Sequence, residues 1–230
     1  MKLGTLYGVG VGPGDPSQLT LRAVSVIQNS KAIFAPVLDL KTEGRAESIV
    51  KKRLPEVEIN RLLIYMDSRA SSSYEQASTH VIASLKNGND TTLITLGDPN
   101  LYSTFTKFKE IVKVQLPGLK VVTIPGITAF QVLASLSDID LALETNKIHL
   151  MPALNNLHDI EIALEDKDAT TIVYKVGDRL GSIKNTAQRL GRLDKAILGE
   201  SIGLENERIG YLKDFNETTY LATIIFPKES

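Results

Sequence analysis

Short apolar runs alternate along this chain with stretches whose apolar positions recur every three or four residues. That change of period reads as strands followed by helices. Leu3 to Val11 reads as a buried strand. Leu19 to Gln28 follows as a helix, with Leu21, Val24 and Ile27 on one face and Thr20 placed to cap its start. Ala32 to Val37 and Glu58 to Ile64 read as strands either side of a mixed-charge helix, Gly44 to Arg53. Ser71 to Leu85 is helical through Ala77, Val81 and Leu85, and Asn87-Gly88 ends it. Thr91 to Leu96 is a strong β-run, and Leu101 to Val112 a helix.

A break falls at Leu116-Pro117-Gly118-Leu119. Beyond it, Lys120 to Ile124 reads as a strand and Ile127 to Leu136 as a helix. Ile148 to Met151, Thr170 to Val176 and Ala196 to Leu198 are further strands, with a helix over Leu180 to Leu190. No helix separates Arg208–Leu212 from Tyr220–Phe226, so the end of the chain reads as antiparallel. The expectation is an α/β protein of two α/β domains, residues 1–114 and 120–230. The N-terminal sheet is expected to be mostly parallel and the C-terminal sheet mixed.

Composition narrows the function classes. The 230 residues suffice for two such domains, each with its own core. A net charge of −1 gives no basic footprint for nucleic acid. No apolar run approaches the roughly 18 residues that span a membrane. The N-terminus lacks the shape of a signal peptide, so a cytoplasmic location is expected. Cysteine is absent, which excludes disulfides, thiolate metal sites and cysteine nucleophiles. His80, His149 and His158 show no metal-ligand spacing, and no protein-bound metal is expected.

Three glycine- and proline-containing turns carry the candidate chemistry. The first is Gly8-Val9-Gly10-Val11-Gly12-Pro13-Gly14, closed by Asp15. A dinucleotide fingerprint needs glycine at its first, third and sixth places, and here the sixth place falls on Pro13, Asp15 or Ser17. No Gly-Lys-Ser/Thr follows, so it is no phosphate loop either. The second is Gly97-Asp98-Pro99-Asn100, just after the Thr91 to Leu96 run. The third is Pro125-Gly126-Ile127-Thr128. Each alone reads equally as a tight turn. Together, each behind a predicted strand, they point to a backbone-lined cofactor cleft between the two domains, since open α/β sheets bind ligands beyond the carboxyl ends of their strands. Tyr102, Phe105 and Phe108 have helical spacing and read as core.

Taken in order, these segments resemble the tetrapyrrole (corrin/porphyrin) methylase family. The likeness rests on Tyr7 to Pro16, Leu19 to Ala23, Gly97 to Phe105 and Pro125 to Ala129, and it is looser over the final 100 residues. Within the family, Gly97-Asp98-Pro99-Asn100-Leu101-Tyr102-Ser103-Thr104-Phe105 is similar to the precorrin-2 / cobalt-factor II C-20 methyltransferases. Tyr65-Met66-Asp67 and Tyr174-Lys175-Val176-Gly177 resemble their Pro-Met and Met-Lys-x-Gly segments, with tyrosine replacing proline and methionine.

The resemblance implies a homodimer, S-adenosylmethionine as methyl donor, and precorrin-2 or cobalt-factor II as the tetrapyrrole substrate. Charge and the short apolar runs lead to the expectation of no nucleic-acid and no membrane partner. The resemblance assigns the cofactor to Gly97, Asp98, Pro99, Ser103, Thr104, Ile127, Thr128 and Ala129. Tyr174, Glu200, Ser201, Ala222 and Thr223 are assigned to its adenine side. It gives the first loop to the substrate, through Gly12, Pro13, Gly14 and Asp15, with Tyr102 beside them. Methyl transfer from a sulfonium asks the protein chiefly for proximity and alignment, worth about 7–11 kcal/mol of barrier. Asp98, Asp15 and Lys175 are the candidates for binding or proton handling. Arg22, Arg45, Arg69 and Lys175 are cations for the substrate's carboxylates. The alternatives are a C-11 or C-17 precorrin methyltransferase, a nicotinamide-dependent oxidoreductase, and a non-catalytic tetrapyrrole-binding protein.

Overall fold

Five consecutive buried residues, Thr91–Thr95, form the strand around which the first half of the protein is built. The computed structural model describes residues 2–154 and 156–229. The chain divides into two units after Thr128. In the first, the strands are β1 (Leu6–Gly10), β2 (Ala32–Val37), β3 (Asn60–Leu63), β4 (Thr91–Thr95) and β5 (Val121–Ile124). Between them run α1 (Leu21–Asn29), α2 (Arg45–Arg53), α3 (Ala70–Lys86) and α4 (Thr104–Gln115). The sheet order is β3-β2-β4-β1-β5, and every pairing is parallel. Parallel strands need a covered sheet on both faces. One face buries Leu6, Phe34, Leu93, Phe105 and Phe108 with Val81 and Leu85. The other buries Val9, Ile33, Ile94 and Ile124 with Ala23, Ile27, Ile49 and Val50.

The second unit holds α5 (Ala129–Leu136), β6 (Lys147–Pro152), α6 (His158–Glu165), β7 (Ala169–Tyr174), α7 (Leu180–Arg189), β8 (Ile197–Glu200), β9 (Arg208–Tyr211) and β10 (Thr223–Phe226). Its order is β6-β7-β10-β8-β9. The β6–β7 pair is parallel and the other three are antiparallel, so this sheet is mixed as expected. Val173, Leu198, Ile224 and Phe226 pack with Ile160, Leu164, Leu180 and Ile183. Arg192, 4% exposed, staples this unit. Its guanidinium donates to the carbonyls of Leu164, Asp166, Ala169, Phe226 and Pro227.

Four sequence expectations change. The break at 114–120 lies inside the first unit, because Pro117-Gly118 turns α4 into β5, which pairs with β1 from Leu6↔Val121 onward. The buried face of α1 is Ala23, Val26 and Ile27, while Leu21 is 90% exposed. Thr20 Oγ1 does cap that helix, accepting from Ala23 N at 3.1 Å. Helix α4 begins at Thr104 rather than Leu101, because Ser103 Oγ accepts from Phe105 N and sets its start. Helix α6 forms where no element is expected; Ile160, Ala163 and Leu164 make up its whole buried face, too few apolar positions to mark a period.

Candidate active site

In the first unit, all-parallel strands bring the loops after β1, β4 and β5 to one edge of the sheet, side by side. Their glycines touch backbone to backbone. A Cβ on Gly10 would collide with Gly97 O and stand 2.7 Å from Gly126 N. A Cβ on Gly126 would collide with the same Gly97 oxygen and stand 2.8 Å from Gly10 C. Gly97 N donates to Gly12 O at 2.8 Å, and both residues sit in the left-handed region, φ 67° and 80°. Only glycine takes that conformation without strain. The three turns singled out in the sequence therefore pack against one another through their main chains. A further tight approach underlies it: Gly8 leaves room for the ring of Phe105.

The polar side chains of these loops brace the backbone. Asp98 Oδ1 accepts from Asn100 N at 2.8 Å, and Oδ2 from Gly126 N at 3.1 Å, tying the β4 loop to the β5 loop. Asp15 Oδ1 accepts from Ser17 N at 2.7 Å and caps the turn Pro16–Gln18. Ser103 Oγ also meets Thr95 Oγ1 at 2.9 Å. Gly12, Pro13 and Gly14 are buried, as is Thr128, whereas Pro99 is buried behind a half-buried Asp98. Thr104 and Ile127 are half-buried. Tyr102 is exposed with a left-handed φ of 49°.

Apolar side chains gather at the same edge. Leu21, Leu38, Leu40, Met66 and Tyr102 are exposed, and each follows the carboxyl end of a strand. The cations expected there differ in setting. Arg22 and Arg45 lie exposed in the first turns of α1 and α2. Arg69 is clamped on Asp67, with Nη2 at 2.6 Å from Oδ2, and its guanidinium lies 3.8 Å from the Tyr65 ring centre. That pairing holds the Asp67 carboxyl down at about 2. A buried carboxylate missed in the sequence supports the β2 loop. Glu47 receives Arg61 in a fork at 2.7 and 3.0 Å, and Arg61 Nη1 donates to Leu40 O.

In the second unit, strand register gathers the residues that the family resemblance assigns to the adenine side. Thr223 lies between Tyr174 and Gly199. Lys175 and Ser201 follow the carboxyl ends of β7 and β8, and both take left-handed backbone, φ 58° and 51°. Such strain in non-glycine residues concentrates at functional sites. Ser201 Oγ and Thr223 Oγ1 are buried with no hydrogen-bond partner among the described residues. Burial pushes the Lys175 ammonium below the usual lysine range, and its Nζ lies 5.8 Å from the Tyr220 ring centre. The ring of Phe130 meets Tyr174 edge-on at 6.0 Å, close to Ala129 in α5. Glu200 is 4% exposed, and both of its oxygens accept protein donors. Among the described residues, no group of three or more histidine, cysteine or acidic side chains could hold a metal ion. No described helix is long and apolar enough to cross a membrane.

The chain belongs to the tetrapyrrole (corrin/porphyrin) methylases, whose family model matches residues 5–213. It is 31% identical to a probable cobalt-precorrin-2 C(20)-methyltransferase of Methanocaldococcus jannaschii, covering 92% of this chain and 89% of that protein. It is 27% identical to the cobalt-precorrin-2 C(20)-methyltransferase of Salmonella typhimurium, covering 98% and 97%. Its fold matches a cobalt precorrin-4 methyltransferase with a TM-score of 0.74 at 16% identity, covering 96% of this chain and 93% of that one.

Proposed function

We propose that this protein is an S-adenosylmethionine-dependent methyltransferase of corrin assembly that methylates C-20 of precorrin-2 or its cobalt form. The observation that carries the reading is the near-full-length likeness to C-20 enzymes, coinciding with a sheet edge built from mutually packed glycines. Other precorrin methyltransferases, at C-11 or C-17, are the nearest competing assignment.

The residues present fit the cofactor. Two orphaned buried hydroxyls, Ser201 Oγ and Thr223 Oγ1, need a polar partner, and an unpartnered buried donor is unfavourable by about 1–3 kcal/mol. Gly97 has open space where a Cβ would stand. S-adenosylmethionine supplies a methyl on a positively charged sulfur, with a neutral thioether as leaving group. Backbone of Gly97, Asp98 and Pro99, with Ile127, Thr128 and Ala129, serves to hold it, with Ser103 and Thr104 close to the first group. Tyr174, Ser201, Ala222 and Thr223 serve its adenine side. Asp98 and Asp15 keep these loops in shape through their bonds to backbone N–H groups.

Lys175 is the group we assign to proton handling. The methylated carbon must shed a proton once the new C–C bond has formed, and burial raises the fraction of neutral amine able to accept it. Tyr102, with the exposed Leu38, Leu40 and Met66, offers an apolar surface to a flat macrocycle, and the buried Gly12, Pro13 and Gly14 shape the loop behind the site. Arg22, Arg45 and Arg69 offer charge to its carboxylates. In the family this chemistry is carried by a homodimer, which we propose here as well. Calorimetric titration with S-adenosylmethionine, followed by turnover of metal-free and cobalt-loaded precorrin-2, tests the reading. Binding and a single methyl transfer are expected; turnover of a nicotinamide cofactor instead would overturn it.

A further inference from the structure

The carboxylate of Glu200 lies at the carboxyl end of β8, nearly sealed from water, and it is shared among three donors. Arg208 Nε, across the strand pair, reaches Oε1 at 2.5 Å. Thr218 Oγ1 and Thr219 N reach Oε2 at 2.6 and 2.9 Å. Both threonines belong to the segment from Asn216 to Ala222, which has no helix or strand of its own. Arg208 grips that segment a second time, donating through Nη2 to Glu217 O at 3.2 Å.

The far end of the segment is fastened to the other strand of the edge. Gly177 N donates to Thr219 O at 3.3 Å, and Val176 N to Ala222 O at 3.5 Å. Gly177 has a left-handed φ of 47°, and a Cβ there would touch Tyr220 at 3.6 Å. The segment is thus a strap from β8 to the turn after β7, laid across the start of β10. Its Tyr220 ring lies against the Lys175 ammonium, and its last residues are Leu221 and Ala222, ahead of Thr223. The second-unit residues assigned to the adenine side, Tyr174, Ser201, Ala222 and Thr223, lie on the strap or within one residue of the strand ends it joins.

We propose that Glu200 is a positioning residue, which holds this strap in place and thereby sets cofactor affinity without touching the cofactor. The proposal rests on the functional reading above and changes one of its parts, since both oxygens of Glu200 are already engaged within the protein. Glutamine cannot replace it. One amide oxygen can accept from the strap or from Arg208, but the amide nitrogen is itself a donor and must face the other donor. A buried donor set facing a donor is unfavourable, so the strap detaches.

The test compares wild type with Glu200→Gln and Thr218→Val. Affinity for S-adenosylmethionine is measured by calorimetry, and the Thr219 amide is followed by hydrogen exchange with and without cofactor. Glu200→Gln is expected to weaken binding about tenfold or more. Its Thr219 amide should exchange faster, with the amides of β7 and β10 unchanged. The KM for the cofactor should rise more than kcat falls. Thr218→Val removes one donor and leaves the ion pair intact, so about a two- to fivefold loss is expected; it also serves if Glu200→Gln does not fold. Wild-type affinity in a folded variant whose Thr219 amide exchanges faster overturns the proposal. A wild-type protein that binds no S-adenosylmethionine overturns the functional reading itself, and the proposal with it.

Discussion

Replacing Gly126 by alanine places one methyl group where three loops meet. The new Cβ would collide with Gly97 O and lie 2.8 and 2.9 Å from Gly10 C and Cα. All of these are main-chain atoms, so no rotamer change relieves the contact. Overpacking of this kind is unfavourable by about 1–3 kcal/mol. Relief requires the β5 loop to move, which breaks the bond from Gly126 N to the Asp98 carboxylate, itself worth about 1.5–3 kcal/mol. The sum is about 2.5–6 kcal/mol, a large part of the roughly 5–15 kcal/mol that stabilises a typical domain. Two glycines with open space at the Cβ position serve as controls. Gly118 has a left-handed φ of 81°, so alanine there is unfavourable by about 1–2 kcal/mol. Gly181 lies inside α7, where alanine should stabilise by about 0.5–1 kcal/mol. Denaturant unfolding gives the stabilities, and calorimetry the affinity for S-adenosylmethionine. Gly126→Ala is expected to lose about 2.5 kcal/mol or more, or to stay folded with cofactor binding abolished. A variant as stable as wild type with unchanged affinity would mean that the three loops do not need to meet at glycine.

The remaining expectations concern single side chains. Asp98→Asn keeps one acceptor of two, so stability should fall by about 1.5–3 kcal/mol and cofactor affinity about tenfold; wild-type values of both would remove Asp98 as a loop brace. Lys175→Arg keeps the charge but cannot accept a proton near neutral pH, so kcat should collapse as it does in Lys175→Met. Rescue by arginine would make Lys175 a carboxylate-binding cation instead. In wild type, kcat should rise with pH as the ammonium deprotonates and reach its plateau below the ordinary lysine range, because burial lowers that pKa. Glu47→Gln should lose about 2–3 kcal/mol by equilibrium unfolding, under the range for fully buried pairs because Arg61 and Lys51 keep some solvent contact. The carboxyl of Glu47 is held below its ordinary value, so its stabilisation is present above about pH 4.5 and is lost as pH falls through the folded value. The wild-type acid limb of stability should therefore be steeper than that of Glu47→Gln.

Much of the first unit is written in local patterns. Thr20 caps α1, Asn87-Gly88 ends α3, and β2 spans Ala32–Val37 as read, because each depends on neighbours in sequence. Leu21 was misplaced because helical spacing fits two faces, and only packing on the sheet selects Ala23, Val26 and Ile27. The domain break was misread for a related reason. Pro117-Gly118 looks the same as a linker or as a crossover turn, and the parallel pairing of β5 with β1 decides between them. Recurring glycine-proline turns exposed the candidate site, yet nothing local shows that Gly10, Gly97 and Gly126 touch, since strand order puts them together. Asp15, Asp98 and Glu200 show the limit of residue chemistry read alone. Each carboxylate looks available in the sequence, and each meets backbone or side-chain donors in the fold. Arg192 gives no signal in the sequence, because five carbonyls from two distant segments, 164–169 and 226–227, create its site.

The protein is expected to transfer one methyl group to C-20. Incubation of the protein with precorrin-2 and S-adenosylmethionine labelled with carbon-13 in its methyl group, followed by carbon NMR of the product, tests it directly. One labelled methyl on C-20 is the expected result. A label at C-11 or C-17, or none despite bound cofactor, would contradict it.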